Sequence, residues 1–92
     1  MTTTLIVQHT VQSVEEWKPV FDGHQDSRRL HGATQHRVLR DGNNLTILID
    51  FPDRDSATGF AEDPALREAM TKAGVVGKPA ITFADEVEAL SY

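Results

Sequence analysis

His24 and Arg28 are the pair of residues best suited to chemistry, four positions apart in a segment with helical periodicity. Residues at this spacing lie on the same side of a helix, so an imidazole and a guanidinium would face the same surroundings. A histidine exchanges protons near neutral pH, and an arginine binds anions. The spacing therefore predicts a site that combines proton transfer with stabilisation of an anionic or enolic ligand.

The same helical stripe begins with apolar side chains at Val14, Trp17 and Phe21 and turns polar halfway along. An ordinary core helix would continue with leucine or isoleucine where His24 and Arg28 stand. We therefore predict a small-molecule cavity with Trp17 and Phe21 as substrate-binding residues and the polar pair as catalytic residues. A second interpretation stays open, in which Trp17 is a core residue and the polar pair reaches the rim to satisfy carboxylates or carbonyls.

Three further histidines have different expected roles. His36 has helix-facing parity on a predicted hairpin strand, from which it could meet His24 as a third catalytic residue; the alternative is a half-buried histidine with satisfied hydrogen bonds. His9 has the inward parity of the first strand's apolar residues and is a candidate substrate-binding residue. His31 falls at a predicted helix end, where a cation favours the helix dipole, so a structural role is expected.

Several kinds of site are excluded by the composition and motifs. The chain has no cysteine, which rules out disulfides and cysteine-ligated metals or clusters. It has no Gly-rich nucleotide loop, no H-E-x-x-H and no G-x-S-x-G motif. The four histidines lack the spacings typical of zinc ligands, so we expect no metal, and we expect no cofactor.

The charge and hydropathy patterns limit partners and location. A net charge of −5 argues against nucleic-acid binding, because such proteins usually carry a basic stripe. No apolar run approaches the roughly 20 residues that span a bilayer, so no membrane insertion is expected. Residues 1–5 lack the basic and apolar segments of a signal peptide. We therefore expect a cytoplasmic protein.

The order of predicted elements is βαββαβ. Alternating β-branched patterns predict strands at residues 4–11, 33–40, 45–51 and 80–87. Helical patterns cover residues 14–30, 55–61 and 65–73, with a capping box from Ser13, a restart at Asp63-Pro64, and a connection at residues 75–79. The turn at residues 41–44 sets a hairpin register that pairs Arg40 with Leu45 and His36 with Ile49.

This order predicts one ferredoxin-like α+β domain over residues 1–92, with a four-stranded antiparallel sheet. Two helical segments can cover only one face of such a sheet, and the other face must meet water or another sheet. A chain of 92 residues has a small core and no disulfide to support it. We therefore predict a homodimer that associates through its sheet faces.

Residues 14–29 read V-E-E-W-K-P-V-F-D-G-H-Q-D-S-R-R and contain the pattern W-x-x-x-F-D-x-H-x-x-x-R. This pattern resembles a group of small bacterial proteins, often labelled cyclases, in the dimeric α/β-barrel superfamily that includes antibiotic-biosynthesis monooxygenases; residues 63–79 are also similar to that group. The resemblance implies a barrel formed by two ferredoxin-like units and a pocket between helices and sheet. It assigns the motif to Trp17, Phe21, Asp22, His24 and Arg28.

The superfamily also includes haem-degrading members, whose haem histidine lies on the second helix. This chain has no histidine between Asp53 and Ala73, so haem degradation is not expected. Three functions stay open. The leading one is a cofactor-independent enzyme acting on a small aromatic or polyketide-like molecule by oxygenation, cyclisation or isomerisation. The others are a non-catalytic small-molecule binder and a structural or stress-related dimer.

Overall fold

Four antiparallel strands form a sheet in the order β2-β3-β1-β4, and helical segments cover one of its faces. The computed structural model describes residues 2–92. The elements are β1 (Thr3–Val11), α1 (Val14–Gly23), α2 (Gln25–Leu30), β2 (Gln35–Asp41), β3 (Asn44–Phe51), α3 (Arg54–Glu62), α4 (Pro64–Lys72) and β4 (Val75–Asp85). With α1–α2 and α3–α4 each counted as one broken helical segment, the predicted ferredoxin-like βαββαβ fold is confirmed.

The β2–β3 hairpin has the predicted register, with Arg40 opposite Leu45 and His36 opposite Ile49. This register turns alternate side chains of β3 toward the helices, where they join the hydrophobic core. The buried side chains of the strands and helices form one cluster, which includes Leu5, Val7, Val11, Trp17, Leu45, Ile47, Ile49, Phe51, Ala57, Phe60, Leu66 and Ala73. The inner face of the sheet is thus the more apolar face, as the sequence predicts.

The first helical segment is broken, whereas the sequence predicts one helix over residues 14–30. The break occurs at His24 (φ −97°, ψ 8°), whose N–H donates to the Phe21 carbonyl oxygen at 3.2 Å in a tighter turn. Gly23, a poor helix former, directly precedes the break. The Arg28 N–H still reaches the His24 carbonyl at 3.4 Å, so the four-residue spacing between the two side chains survives.

Two predicted helix starts are confirmed by their caps. The Ser13 hydroxyl oxygen accepts from the Glu16 N–H at 3.3 Å, and the hydroxyl donates to the Glu15 carboxylate at 3.2 Å. The Asp63 carboxylate accepts from the Ala65 N–H at 2.9 Å, with proline at the first position of α4. These caps place the starts of α1 and α4, which carry two walls of the site described below.

The last strand begins at Val75, five residues earlier than predicted. Val75 pairs with Val11 of β1, and the register then shifts where the partner residues pass from Thr10 to Gln8. Gly77 has a positive φ of 73° at this irregularity. Glycine and proline at residues 77 and 79 suggested a loop, but the strand accommodates them in a bulge.

The outer face of the sheet is mixed in character. Ile6 and Leu48 are directly paired across β1 and β3, and Leu39 on β2 is 44% exposed. Around them, the Thr4 hydroxyl and the Gln35 amide both donate to the carboxylate of Asp50, at 2.7 and 2.6 Å. None of the helices in residues 2–92 is long and apolar enough to cross a membrane.

Candidate functional site

A narrow cavity lies between the helical layer and the inner face of the sheet. The solvent-accessible volume of the cavity is about 40 Å³, which is room for a few water molecules. Strands β1 and β3 form its floor, and α1, α2, α3 and α4 form its walls. Its lining residues are Val7, His9, Trp17, Val20, Phe21, His24, Arg28, Ile47, Ile49, Phe60, Leu66, Ala69, Met70 and Ala73.

The structure brings most of the predicted site residues to this cavity. Trp17, Phe21, His24 and Arg28 all line it from the first helical segment, and His9 lines it from β1. The helical stripe predicted from the sequence is therefore the wall of a cavity.

His9, Trp17 and Phe21 form a continuous aromatic wall. The His9 and Trp17 rings meet edge to face with centroids 6.2 Å apart. Trp17 and Phe21 are stacked, with centroids 4.7 Å apart and an interplanar angle of 23°. Beyond Phe21, the guanidinium carbon of Arg28 lies 3.8 Å from the ring centroid in a cation–π contact. The wall thus ends in a neutral imidazole on one side and a cation on the other.

Arg28 is buried, with only 3% of its surface exposed. Its Nε and Nη2 atoms are shielded from solvent, and neither has a hydrogen-bond partner among residues 2–92. Burial lowers the pKa of Arg28, and the negative charge of Asp22 opposes this change. A buried charge without a partner carboxylate is strongly unfavourable, so its presence at a cavity wall marks a candidate ligand site.

The Asp22 carboxylate is bound elsewhere. Both of its oxygens accept from Lys18 Nζ, at 2.7 and 2.8 Å, on the exposed side of α1. Asp22 belongs to the sequence motif, yet it braces the helix surface and does not line the cavity. Its charge influences Arg28 without neutralising it through a direct contact.

His24 is partly exposed at the break between α1 and α2. Burial lowers its pKa, and the positive charge of Arg28 lowers it further, while Asp63 acts in the opposite direction. The imidazole is therefore neutral at pH 7 and has a free electron pair for a proton. A neutral histidine four residues from a buried cation can accept a proton while the cation stabilises the negative charge left behind.

His9 is 8% exposed, and burial lowers its pKa, so it is also neutral at pH 7. Its Nδ1 atom is shielded from solvent and has no hydrogen-bond partner in the part of the chain that the structure describes. Depending on its tautomer, this nitrogen can donate to or accept from a bound molecule. His9 therefore offers a neutral polar contact at the end of the aromatic wall away from Arg28.

The structure places His36 outside the cavity. Its ring meets the edge of Phe21, with centroids 5.1 Å apart at 83°, and it lines a neighbouring groove that Arg28 also borders. His36 does have the predicted helix-facing parity, but β2 is an edge strand and Phe21 occupies the space toward the cavity. His36 and His24 therefore do not meet across the cavity as expected, and a catalytic role for His36 stays an untested prediction.

The sequence did not predict which residues form the opposite wall of the cavity. It comes from Phe60 on α3 and from Leu66, Ala69 and Met70 on α4. A signal was present, because these α4 residues recur at spacings of three and four, the pattern of a helix face turned inward. That pattern is the same for a packed core and for a cavity wall, so it could not identify a site.

His31 has a structural environment. Its Nε2 atom lies 2.9 Å from the Asp63 carboxylate, and its ring contacts the edge of Phe60 at 5.7 Å between centroids. The contact ties the end of α2 to the start of α4. Within residues 2–92, no group of three or more histidine or acidic side chains is arranged to hold a metal ion.

Solved structures with the same fold were found, although no family model and no curated protein matches the chain. SnoaB, a cofactor-independent oxygenase from Streptomyces nogalater, superposes with a TM-score of 0.78 at 17% identity, over 99% of this chain and 98% of that one. A putative antibiotic biosynthesis monooxygenase from Bordetella bronchiseptica gives a TM-score of 0.76 at 14% identity, over 95% and 98%. A similarly described protein from Caulobacter crescentus gives 0.74 at 17% identity, over 95% and 91%. The chain therefore shares the ferredoxin-like fold of antibiotic biosynthesis monooxygenase-like structures, as its sequence resemblance predicted.

Proposed function

We propose that this protein is a cofactor-independent enzyme that acts on a small aromatic or polyketide-like molecule in the cavity under α1 and α2. The observation that carries the proposal is the buried guanidinium of Arg28, which has no hydrogen-bonded carboxylate within residues 2–92. Such a charge is kept in a fold at a cost to stability, and a ligand anion would neutralise it. The fold shared with the oxygenase SnoaB is consistent with this reaction class.

The proposed first step is removal of a proton from the substrate by His24. The neutral imidazole takes the proton of an acidic C–H or O–H group, and the electron pair moves onto the substrate oxygen as an enolate or phenolate. Arg28 stabilises this oxyanion. The rings of Trp17 and Phe21 orient the planar substrate, and the mainly apolar lining of the cavity limits water. His9 makes the second polar contact.

Deprotonation is common to the three reactions under consideration. A cofactor-free oxygenase needs a substrate whose anion gives up electrons to dioxygen, and the oxygen is then reduced as the substrate is oxidised. Cyclisation and isomerisation need no external oxidant, because the enolate carbon attacks another carbon or is protonated at a new position. Measuring dioxygen uptake alongside product mass separates these outcomes.

The test is a substrate panel of phenols and aromatic 1,3-dicarbonyl compounds, assayed with His24→Gln and with His31→Gln as a matched control. His24→Gln is expected to lower turnover by about 10²-fold, the usual contribution of a general base. His31 lies outside the cavity lining and affects His24 only through its charge, so its substitution should change the rate far less than His24→Gln once folding is confirmed. Undiminished turnover in His24→Gln would refute the assigned role.

A non-catalytic binder is the second candidate, favoured by the small size of the cavity. The space holds a few water molecules, which leaves little room for a second reactant beside an aromatic ligand. This candidate predicts saturable binding of panel compounds with no product after hours of incubation. Product formation that depends on His24 would decide for the enzyme.

We also propose a homodimer that joins through the outer sheet face. Ile6, Leu48 and Leu39 form its apolar centre, and a second copy of the same face would cover them. Light scattering at micromolar concentration should give twice the mass of one chain. Leu48→Arg should shift the protein to monomer, whereas Leu30→Arg, at a position 87% exposed on α2, should not. A monomer mass for the unmodified protein would overturn the proposal.

A further inference from the structure

The two unpartnered nitrogens of Arg28 lie side by side on its guanidinium. Nε and Nη2 form the edge that points away from the aliphatic chain, and each directs an N–H outward in the same plane. Both are shielded, and no group within residues 2–92 accepts from either. Two parallel donors at this spacing match the two oxygens of a carboxylate, which binds arginine side-on through a pair of hydrogen bonds. A single phenolate oxygen would satisfy this edge less completely.

The acidic side chains whose charges act on this region are already engaged. Asp22, which acts on Arg28, has both carboxylate oxygens on Lys18 Nζ at the exposed surface of α1. Asp63, which acts on His24, accepts from the Ala65 N–H and lies 2.9 Å from His31 Nε2. Neither is positioned to fill the free edge of Arg28. Because both nitrogens are shielded from solvent, a bound anion would complete this edge after a small shift of the side chains around it.

The other residues that line the cavity favour a small, flat ligand. Trp17 and Phe21 present stacked rings, against which an aromatic plane packs well. The solvent-accessible volume of the cavity, about 40 Å³, is small for a fused-ring molecule. Met70 lines the cavity and is only partly buried, and its flexible side chain can move to admit one ring.

We propose that the ligand of this cavity is a monocyclic aromatic carboxylate, with its carboxylate side-on to Nε and Nη2 of Arg28 and its ring against Trp17 and Phe21. This inference rests on the proposed function and specifies its substrate class. A carboxylate beside an acidic phenol or carbonyl group keeps both roles of Arg28. The Nε–Nη2 edge holds the carboxylate, and the positive charge stabilises the oxyanion that forms next to it when His24 removes the proton.

The test uses the fluorescence of Trp17, the only tryptophan of the chain, as a reporter inside the cavity. Benzoate is titrated against benzamide, which has the same shape without the charge, and against cyclohexanecarboxylate, which has the charge without the planar ring. Benzoate should bind at least about ten-fold more tightly than benzamide, because a charged bidentate contact is lost in the amide. Calorimetry with 2-naphthoate tests the size limit, and weaker binding than benzoate is expected.

Arg28→Lys tests the bidentate contact, because lysine keeps the positive charge but lacks the two-donor edge. It should weaken benzoate binding at least about ten-fold and leave benzamide binding unchanged. Arg29→Lys is the matched control at an exposed neighbouring position, and its benzoate affinity should equal that of the unmodified protein. Circular dichroism of each variant confirms that the fold is retained.

The outcomes separate this inference from the proposed function. Equal affinity for benzoate and benzamide, unimpaired benzoate binding in Arg28→Lys, or tighter binding of 2-naphthoate than of benzoate would overturn the monocyclic carboxylate assignment. The cavity would then remain a binding site of another class. A Trp17 signal that responds to none of these compounds, and to none of the phenols and dicarbonyls of the substrate panel, would overturn both.

Discussion

Two arginines of this protein lie over phenylalanine rings, but they differ in solvent exposure and in whether a carboxylate is nearby. The Arg28 guanidinium carbon is 3.8 Å from the Phe21 ring centroid, the residue is 3% exposed, and two of its nitrogens have no hydrogen-bond partner from Thr2 to Tyr92. The Arg54 guanidinium is 5.7 Å from the Phe83 ring, its side chain is 53% exposed, and it lies 3.4 Å from the Asp85 carboxylate. One pair is enclosed and electrically uncompensated, and the other is open and compensated.

Contact with an aromatic ring therefore does not by itself identify a functional arginine. Arg54 has water and a carboxylate available, so its position follows from ordinary surface electrostatics. Arg28 has lost most of its hydration, and the Phe21 ring replaces only part of it. Arg28 thus destabilises the free protein but would stabilise a complex with an anion, as expected of a binding residue. The effects of matched substitutions on stability can therefore be compared between the two pairs.

The largest effect is expected for Arg28→Met. This change removes the uncompensated charge and keeps an unbranched apolar side chain, so it should raise the free energy of unfolding by about 2 kcal/mol. Arg54→Met, the matched change in the exposed pair, should alter it by less than about 0.5 kcal/mol. Urea denaturation measures both. A large loss of stability in Arg28→Met would show that the charge is compensated in the folded protein.

Removing the ring beneath each arginine should give a smaller difference. Phe21→Leu keeps apolar volume but loses the cation–π contact and the stack on Trp17, so a destabilisation of about 1 kcal/mol is expected. Phe83→Leu breaks a longer and more exposed contact and should lower stability by less. Thermal unfolding of the two variants at matched pH compares them. Equal losses would mean that the Arg28 contact contributes nothing specific.

The positive charge of Arg28 should affect the pKa values of His24 and His36. Burial lowers the pKa of His24 and of His36 first, and the Arg28 charge lowers both further. In Arg28→Met both pKa values should therefore rise, as measured by NMR titration of the ring protons. Arg54→Met should move neither. If the histidine titration curves are unchanged in Arg28→Met, the charge of Arg28 does not act on His24.

The same pKa shifts fix the sign of the pH dependence of stability. Because folding lowers the pKa of His9, His24 and His36, the unfolded chain binds more protons as the pH falls below about 6.5. The melting temperature should therefore fall on acidification through this range. His9→Gln should reduce that slope modestly, whereas a slope of the opposite sign would contradict the assigned shifts.

The smallest effect is expected at the exposed pair itself. Asp85 accepts from the Thr3 hydroxyl at 2.7 Å, a contact that lowers its pKa, and Arg54 contributes further. Asp85→Asn should lower the melting temperature only slightly at neutral pH. Added salt should remove most of that difference, because exposed charges are screened. A difference that persists in high salt would mean that the pair is less open than its exposure indicates.

Most of the fold followed from local patterns. The turn at residues 41–44 and the parity of β3 fixed which side chains face the helices, because a strand register that slips by one residue reverses every side chain. The break at His24 was not predicted, since residues at helical spacing continue on both sides of Gly23. The start of β4 was missed because Gly77 and Pro79 resemble loop residues, and only pairing with β1 shows that the strand continues around them.

The site was predictable where it lies on one helical stripe and not where it depends on packing. Trp17, Phe21, His24 and Arg28 share a face by spacing alone, so their common location could be inferred. Whether Arg28 has a partner, and whether Phe21 fills the path from His36, depends on distances that spacing does not contain. Met70 has the periodicity of a core residue, and only the cavity beside it distinguishes the two roles.

The bulge at Gly77 and Pro79 also determines how this sheet can grow. Its two outer strands, β2 and β4, present backbone edges to which a strand of another molecule could add. On β4 the bulge twists that edge, and Pro79 lacks an N–H to offer. On β2 the charged side chains of Arg37 and Arg40 make a close neighbour unfavourable. Ribbon-like polymerisation from edge to edge is thereby discouraged, and a second copy is directed to the broad face of the sheet.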